Sequence, residues 1–388
     1  MTFDPSLFIN EKIKVMPPSG IRKFFDIVST MEGAISLGVG EPDFVTPWSV
    51  RDAGIYSLEK GKTHYTSNSG MMELREEICN YLKRRFDLTY NYKETLVTVG
   101  GSEAIAVAMK TLLNPGDEVL VPEPSFVCYK PCAIIAGGTP IPVKTTADNS
   151  FKLTKEDVLK HLTPKTKLLV LSYPNNPTGA VMTKEDLEEI VEVVKENNLM
   201  VISDEIYAEL TYGRKHTSIA SFPDMKDRTI LVNGFSKAYA MTGWRMGYVC
   251  GNEEIIKAMT KVHQYEIMCA PTVSQFAAVE ALKNGDSAIE EMRDEYDRRR
   301  RLIVDGFNSL GLTCFEPQGA FYIFPSIQKT GMKSEEFCEK LLMEKKLALV
   351  PGTAFGESGE GFLRVSYAYS VKQITEALDR LTDFMNTL

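Results

Sequence analysis

Apolar residues alternate between two patterns over the middle of this chain. Short unbroken apolar or β-rich runs occupy residues 95–99, 118–121, 139–143, 167–172, 199–202 and 229–232. Runs this short and this continuous read as strands covered on both faces. Between them lie stretches with helical spacing. Residues 104–113 form one, stopped by Asn114-Pro115-Gly116. Another opens at Thr183, with Asp186 three residues on as a capping pair; Leu187, Ile190, Val191 and Val194 then share one helical face. Strands separated by such helices predict an α/β fold around a mostly parallel sheet. After about residue 270 the pattern changes. Residues 287–310 read as one long charged helix, 319–324 and 362–366 as strands, and 334–345 and 371–386 as helices. That predicts a second, smaller α+β domain. Residues 1–21, punctuated by Pro17-Pro18-Ser19-Gly20, read as an arm that docks on something else.

Composition narrows the function. A chain of 388 residues is about twice a typical domain, and 44% hydrophobic residues fill a large core. A formal charge of −8 argues against nucleic acid or an anionic membrane surface as partner. The basic run Arg298 to Arg301 has acidic neighbours, which marks a solvated helix face. Seven cysteines lack framework spacing, and Cys128 and Cys132 have no second pair beside them. They read as buried reduced thiols in a reducing compartment. Residues 1–19 hold no apolar signal core, and no apolar run approaches membrane-spanning length. The expectation is a cytoplasmic protein with no membrane and no nucleic acid. Four scattered histidines and no paired ligand motif leave no metal site to expect.

Five segments carry candidate chemistry. Lys237 follows the apolar run 229–232 among small and apolar residues, and Arg245 comes eight residues later. A lysine there either snorkels to water or, desolvated, has a lowered pKa and attacks an aldehyde. Gly100-Gly101-Ser102 lies between a strand and a helix. It is either a capped glycine turn or an anion site of backbone N–H groups. Asp204 ends a buried strand, as a helix cap or as a ligand group at the sheet's carboxyl edge. Asn176 sits in Asn175-Asn176-Pro177-Thr178-Gly179, a string of turn formers. Arg364 lies on the apolar strand 362–366, facing either a structural carboxylate or an anionic ligand. The spaced glycines of residues 35–44 do not make a dinucleotide loop, because Pro42 and Pro47 prevent a helix from opening there.

These segments, in this order, closely resemble the class I pyridoxal-phosphate aminotransferases of fold type I, from about Gly20 to the C-terminal helix. The resemblance implies a large domain over residues 46–285 with a seven-stranded sheet sandwiched by helices. Residues 1–45 would form the arm and part of a small domain completed by residues 286–388. It implies pyridoxal phosphate bound by Lys237 as a Schiff base, and Lys237 as the proton shuttle. Asp204 would pair with the cofactor's ring nitrogen, Asn176 and Tyr207 would donate to its phenolate oxygen, and Phe126 would stack where the best-known members carry tryptophan. Gly101, Ser102, Ser236 and Arg245 would hold the phosphate, with Tyr65 of the neighbouring subunit. Many relatives also place a serine where this chain has Gly234. Arg364 would hold the substrate α-carboxylate, helped by Asn176 and the Gly40 N–H. The implied activity is ping-pong transfer of an amino group from an L-amino acid to a 2-oxo acid, with 2-oxoglutarate the expected acceptor, in a homodimer with shared sites. Residues 265–270 lack the second arginine of some aspartate-specific relatives, leaving room for apolar or small substrate side chains. A C–S β-lyase and a noncatalytic cofactor-binding regulator remain as alternatives on the same fold. A nicotinamide oxidoreductase lacks its strand-GxGxxG-helix unit here.

Overall fold

The computed structural model describes residues 3–18, 20 and 31–388. Residues 1–2, 19 and 21–30 of the expected arm lie outside the described residues. The chain passes from a short strand β1 (Ile35–Ser36) into the strands of a large sheet. These are β2 (Thr95–Thr98), β3 (Glu118–Glu123), β4 (Thr139–Lys144), β5 (Thr166–Ser172), β6 (Met200–Asp204), β7 (Thr229–Gly234) and β8 (Gly247–Cys250). Their order is β2-β8-β7-β6-β5-β3-β4. Ladders from β4 through β3, β5 and β6 to β7 are parallel, while β8 runs antiparallel between β7 and β2. The carboxyl ends of β2, β3, β5, β6 and β7 therefore share one edge, and β8 begins at that edge.

Side chains alternate across the two faces because the strand period is two. Leu168, Val170, Ile202 and Val232 pack with Ile105, Ala108 and Met259, under the helices Gly100–Leu112 and Glu253–Glu266. Leu169, Leu171 and Val201 face the opposite way, onto Leu187, Ile190, Val193 and Val194 of the helix Lys184–Glu196. Val193 takes the buried place expected of Val191, which is only half-buried. Thr183 and Asp186 form the expected reciprocal cap. Covered faces explain the unbroken apolar runs, each fully buried Val, Leu or Ile contributing about 1.5–3 kcal/mol. β4 is an edge strand, which admits Pro140 and Pro142.

The remaining elements form a second core. β9 (Tyr322–Ile323), β10 (Leu347–Ala348), β11 (Val350–Pro351) and β12 (Leu363–Ser366) make small sheets. β1 pairs in parallel with β10, tying the segment ahead of the large sheet to elements after residue 286. Helices Asp286–Ser309, Ser334–Lys345 and Val371–Met385 cover this part through Ile303, Phe307, Phe337, Leu341, Ile374 and Phe384. Only Tyr322 and Ile323 of the expected strand 319–324 are strand. The basic run is also not a purely solvated face. Arg299 and Arg300 are buried, paired with Asp43 and Glu295 and with Asp297 and Glu316, while Arg298 and Arg301 stay exposed.

Candidate active site

Six chain segments deliver side chains to the shared edge of the large sheet. β2 leads into the helix Gly100–Leu112, whose first turn carries Gly101 and Ser102. The helix starts four residues before the apolar periodicity, because the two glycines form its first turn. Val99, not Ser102, is its cap residue, and the Val99 N–H donates to Glu103. β3 leads to Phe126, β5 to Asn176, β6 ends on Asp204, and β7 leads into the turn holding Ser236 and Lys237. Arg245 precedes β8. With Gly40, Tyr207 and Arg364 these residues line one cavity of about 470 Å³.

The Lys237 amine lines this cavity. It donates to the Gly40 carbonyl at 2.6 Å, with the rings of Phe321 and Tyr207 at 5.7 and 5.9 Å. Burial lowers its pKa to about 8, helped by Arg364 and Arg245 and opposed by Glu41 and Asp204. At pH 7 its neutral fraction is roughly three-hundred-fold that of an ordinary lysine.

One wall carries a carboxylate. Asp204 Oδ1 accepts from the Ile206 N–H at 3.2 Å, and Oδ2 accepts from the Tyr129 hydroxyl at 2.7 Å. Burial pushes this carboxyl upward, and the two donors pull it back. Arg364, 2% exposed, lines the same cavity. Its Nη1 donates to Asn176 Oδ1 at 3.0 Å and its Nη2 to the Gly38 carbonyl. The rings of Tyr322 and Phe355 lie 4.7 Å from its guanidinium carbon. No carboxylate among the described residues pairs with it, and its buried Nε has no partner. Tyr207 and Tyr322 share a hydroxyl contact of 2.8 Å beside it.

The remaining lining could hold an anion. First-turn N–H groups of a helix lack intrahelical acceptors and attract negative charge. Arg245 lies against this turn, where a Cβ on Gly100 would stand 2.8 Å from its Nη2. Its Nη1 donates to the Thr242 carbonyl, and no carboxylate among the described residues neutralises it. Its backbone has φ 54, a left-handed conformation that costs a non-glycine residue roughly 1–2 kcal/mol. Gly234, where many relatives place a serine, packs on β8: a Cβ would come 2.9 Å from Gly247 Cα.

Tyr65 is the one expected site residue that the chain does not bring to this cavity. It is 81% exposed and lines a separate surface depression with His64 and Pro271. Conversely, Tyr129, Ser172 and Tyr322 line the cavity without having been singled out by the sequence. Each is an ordinary residue type in an unmarked context, and only the folded neighbourhood sets it apart. Among the described residues no group of His, Cys, Asp and Glu could hold a metal ion. No helix of the described residues is long and apolar enough to cross a membrane.

Chemically the cavity combines an anion cradle, a planar ring at Phe126, a buried carboxylate, an amine of lowered pKa and an unpaired buried guanidinium. That donor set fits pyridoxal phosphate together with a substrate carboxylate. Comparison with known proteins points the same way. The family described as aminotransferase class I and II matches residues 32–381. A putative aminotransferase YugH of Bacillus subtilis is 53% identical over 380 residues, covering 98% of each chain. An aspartate aminotransferase of Pyrococcus abyssi is 47% identical, covering 96% of this chain and 97% of its own. The crystal structure of an aromatic aminotransferase from Pyrococcus horikoshii superposes with a TM-score of 0.90 at 45% identity, over 94% of this chain and 99% of that one. With this cavity at the carboxyl edge of its sheet, the chain belongs to the class I and II aminotransferases, enzymes that depend on pyridoxal phosphate.

Proposed function

We propose that this enzyme moves an amino group from an L-amino acid to a 2-oxo acid, with 2-oxoglutarate as acceptor, in a ping-pong sequence. The observation that carries the reading is Arg364: a buried guanidinium without a carboxylate partner, opening into the cavity of the Lys237 amine. A buried cation of this kind calls for an anion from outside. Two of its five N–H donors are engaged by neutral acceptors, so three remain for a substrate α-carboxylate. The Gly40 N–H assists on the same side.

Pyridoxal phosphate, when bound, supplies a conjugated ring that takes up the electron pair released as the substrate Cα–H bond breaks. Gly101, Ser102, Ser236 and Arg245 would hold its phosphate. Asp204 would pair with the ring nitrogen, and Phe126 would stack on the ring. Asn176 turns its Oδ1 to Arg364, which leaves its Nδ2 to donate to the cofactor's phenolic oxygen, with Tyr207 as second donor. Lys237 would hold the cofactor through its Nζ. Its neutral Nζ would take the proton from the substrate Cα and hand it to the cofactor's aldehyde carbon.

Lys237, Arg245 and Arg364 account for every Lys and Arg among the described residues lining the cavity. Within this chain none is left for a distal carboxylate, so that of 2-oxoglutarate would have to be met by neutral hydrogen-bond donors, and Val39, Ile105 and Ile206 are apolar. We therefore read the preferred donor as neutral, apolar or aromatic. The active unit is a homodimer in which Tyr65 completes the neighbour's phosphate site. Its support is the exposure of Tyr65 together with exposed Phe3, Leu7 and Phe8 on the arm. We divide the chain at residues 45 and 285, and place the enzyme in the cytoplasm, which suits seven cysteines that are all free. A screen of amino donors with 2-oxoglutarate tests the reading: aromatic and aliphatic donors should outrun aspartate in kcat/KM. Equal or faster turnover of aspartate would overturn the donor assignment.

A further inference from the structure

The Tyr129 hydroxyl stands 2.7 Å from Asp204 Oδ2 and 2.7 Å from Ser172 Oγ. A phenol has one proton, and an ionised carboxylate only accepts. The Tyr129 proton therefore points to Asp204, and the Ser172 hydroxyl donates to the Tyr129 oxygen. Three elements meet in this chain. Ser172 and Asp204 are register partners at the ends of β5 and β6, and Tyr129 opens the helix Tyr129–Ile135. The Tyr129 ring is 1% exposed and is held edge-on against Phe126, with centroids 6.1 Å apart.

We propose that Tyr129, oriented by Ser172, is a positioning residue that keeps the Asp204 carboxylate ionised and so leaves the proton on the cofactor's ring nitrogen. The proposal rests on the reading of Asp204 given above. When a carboxylate and a ring nitrogen share one proton, the stronger base holds it. Burial and the adjacent Glu205 both strengthen Asp204 as a base. The Tyr129 hydroxyl, the Ile206 N–H and the Lys237 amine act against them. The other titratable groups near Asp204 stay neutral: Cys128, pushed up by its hydrogen bond with Cys132 and by burial, and Tyr207, pushed up by burial. Tyr129 is itself pushed well up by burial, so it remains a donor at any working pH. Without that donor the proton moves from the ring nitrogen to Asp204 Oδ, and the ring loses the positive charge that makes it an electron sink.

The test is the nitrogen-15 NMR shift of the ring nitrogen in holoenzyme loaded with labelled pyridoxal phosphate, followed against pH. Tyr129→Phe should move the signal toward neutral pyridine and weaken cofactor binding about tenfold, the usual scale for losing a hydrogen bond to a charged group. Ser172→Ala should move it the same way by less. Asp204→Asn separates the two claims. If Asp204→Asn moves the signal while Tyr129→Phe and Ser172→Ala leave it in place, the role of Tyr129 is wrong and that of Asp204 stands. If Asp204→Asn leaves it in place, both fall. Should Tyr129→Phe fail to hold cofactor, Ser172→Ala decides: a shift supports the proposal and no shift overturns it.

Discussion

Lys237 shows how burial becomes chemistry at the scale of one residue. With its pKa lowered from 10.5 to about 8, the folded chain releases a proton that the unfolded chain keeps. Between pH 8 and 10.5 the unfolded lysine is charged and the folded one neutral. The lysine's penalty on the cofactor-free protein is full below pH 8 and fades as pH rises through that window. Urea titrations of the cofactor-free protein should show this rise, and Lys237→Met should flatten it. Arg364→Lys makes a second prediction. A point-charge ammonium cannot make the parallel bonds of a planar fork, so KM for every amino donor should rise roughly ten- to hundredfold, with a smaller change in kcat. If amines without a carboxylate turn over as well as amino acids in the parent enzyme, the role given to Arg364 is wrong. Both residues were legible in the sequence because each is an isolated charge in an apolar context, which folding cannot bury without a reason. Tyr129 and Ser172 were not, since tyrosine and serine are ordinary beside any strand. Their arrangement exists only once β5, β6 and the following helix are brought together.

The large sheet was legible at the scale of elements because strands covered on both faces must be continuously apolar. What the pattern misplaced was the start of the helix Gly100–Leu112. Glycine is a poor helix former, so periodicity finds that helix only at Ala104. The physical reason for the glycines is close approach. Gly100 has φ +76, and any side chain on it would press on Arg245. Gly100→Ala should therefore displace Arg245 and weaken pyridoxal phosphate about tenfold, while binding of pyridoxal without its phosphate changes little. Fluorescence titration of the cofactor-free protein with the two ligands separates the cases. Equal loss for both would mean a general distortion, not a phosphate effect. The short ladders around β9 and β12 were harder to bound, because a two-residue strand has no period to read.

On the scale of the whole molecule, the cavity draws on residues at the ends of β5 and β6 and on residues flanking β2, β3, β7 and β8, on the segment at Gly40 and on Arg364 from β12, but not on Tyr65 of the same chain. If Tyr65 serves the neighbouring site, refolding inactive Lys237→Ala and Tyr65→Ala chains together should restore activity, since one site of each mixed dimer carries no defect. No recovery, with exchange verified, would remove the shared site. Transamination itself also has a signature that the rival reactions on this fold lack. Amino donor added to holoenzyme without any 2-oxo acid should yield about one 2-oxo acid per active site and then stop, as the amino group stays with the cofactor. Adding 2-oxoglutarate should release glutamate in equal amount and restart turnover, and Lys237→Ala should do neither. Continuous release of ammonia and 2-oxo acid without an acceptor would contradict aminotransfer and indicate a lyase.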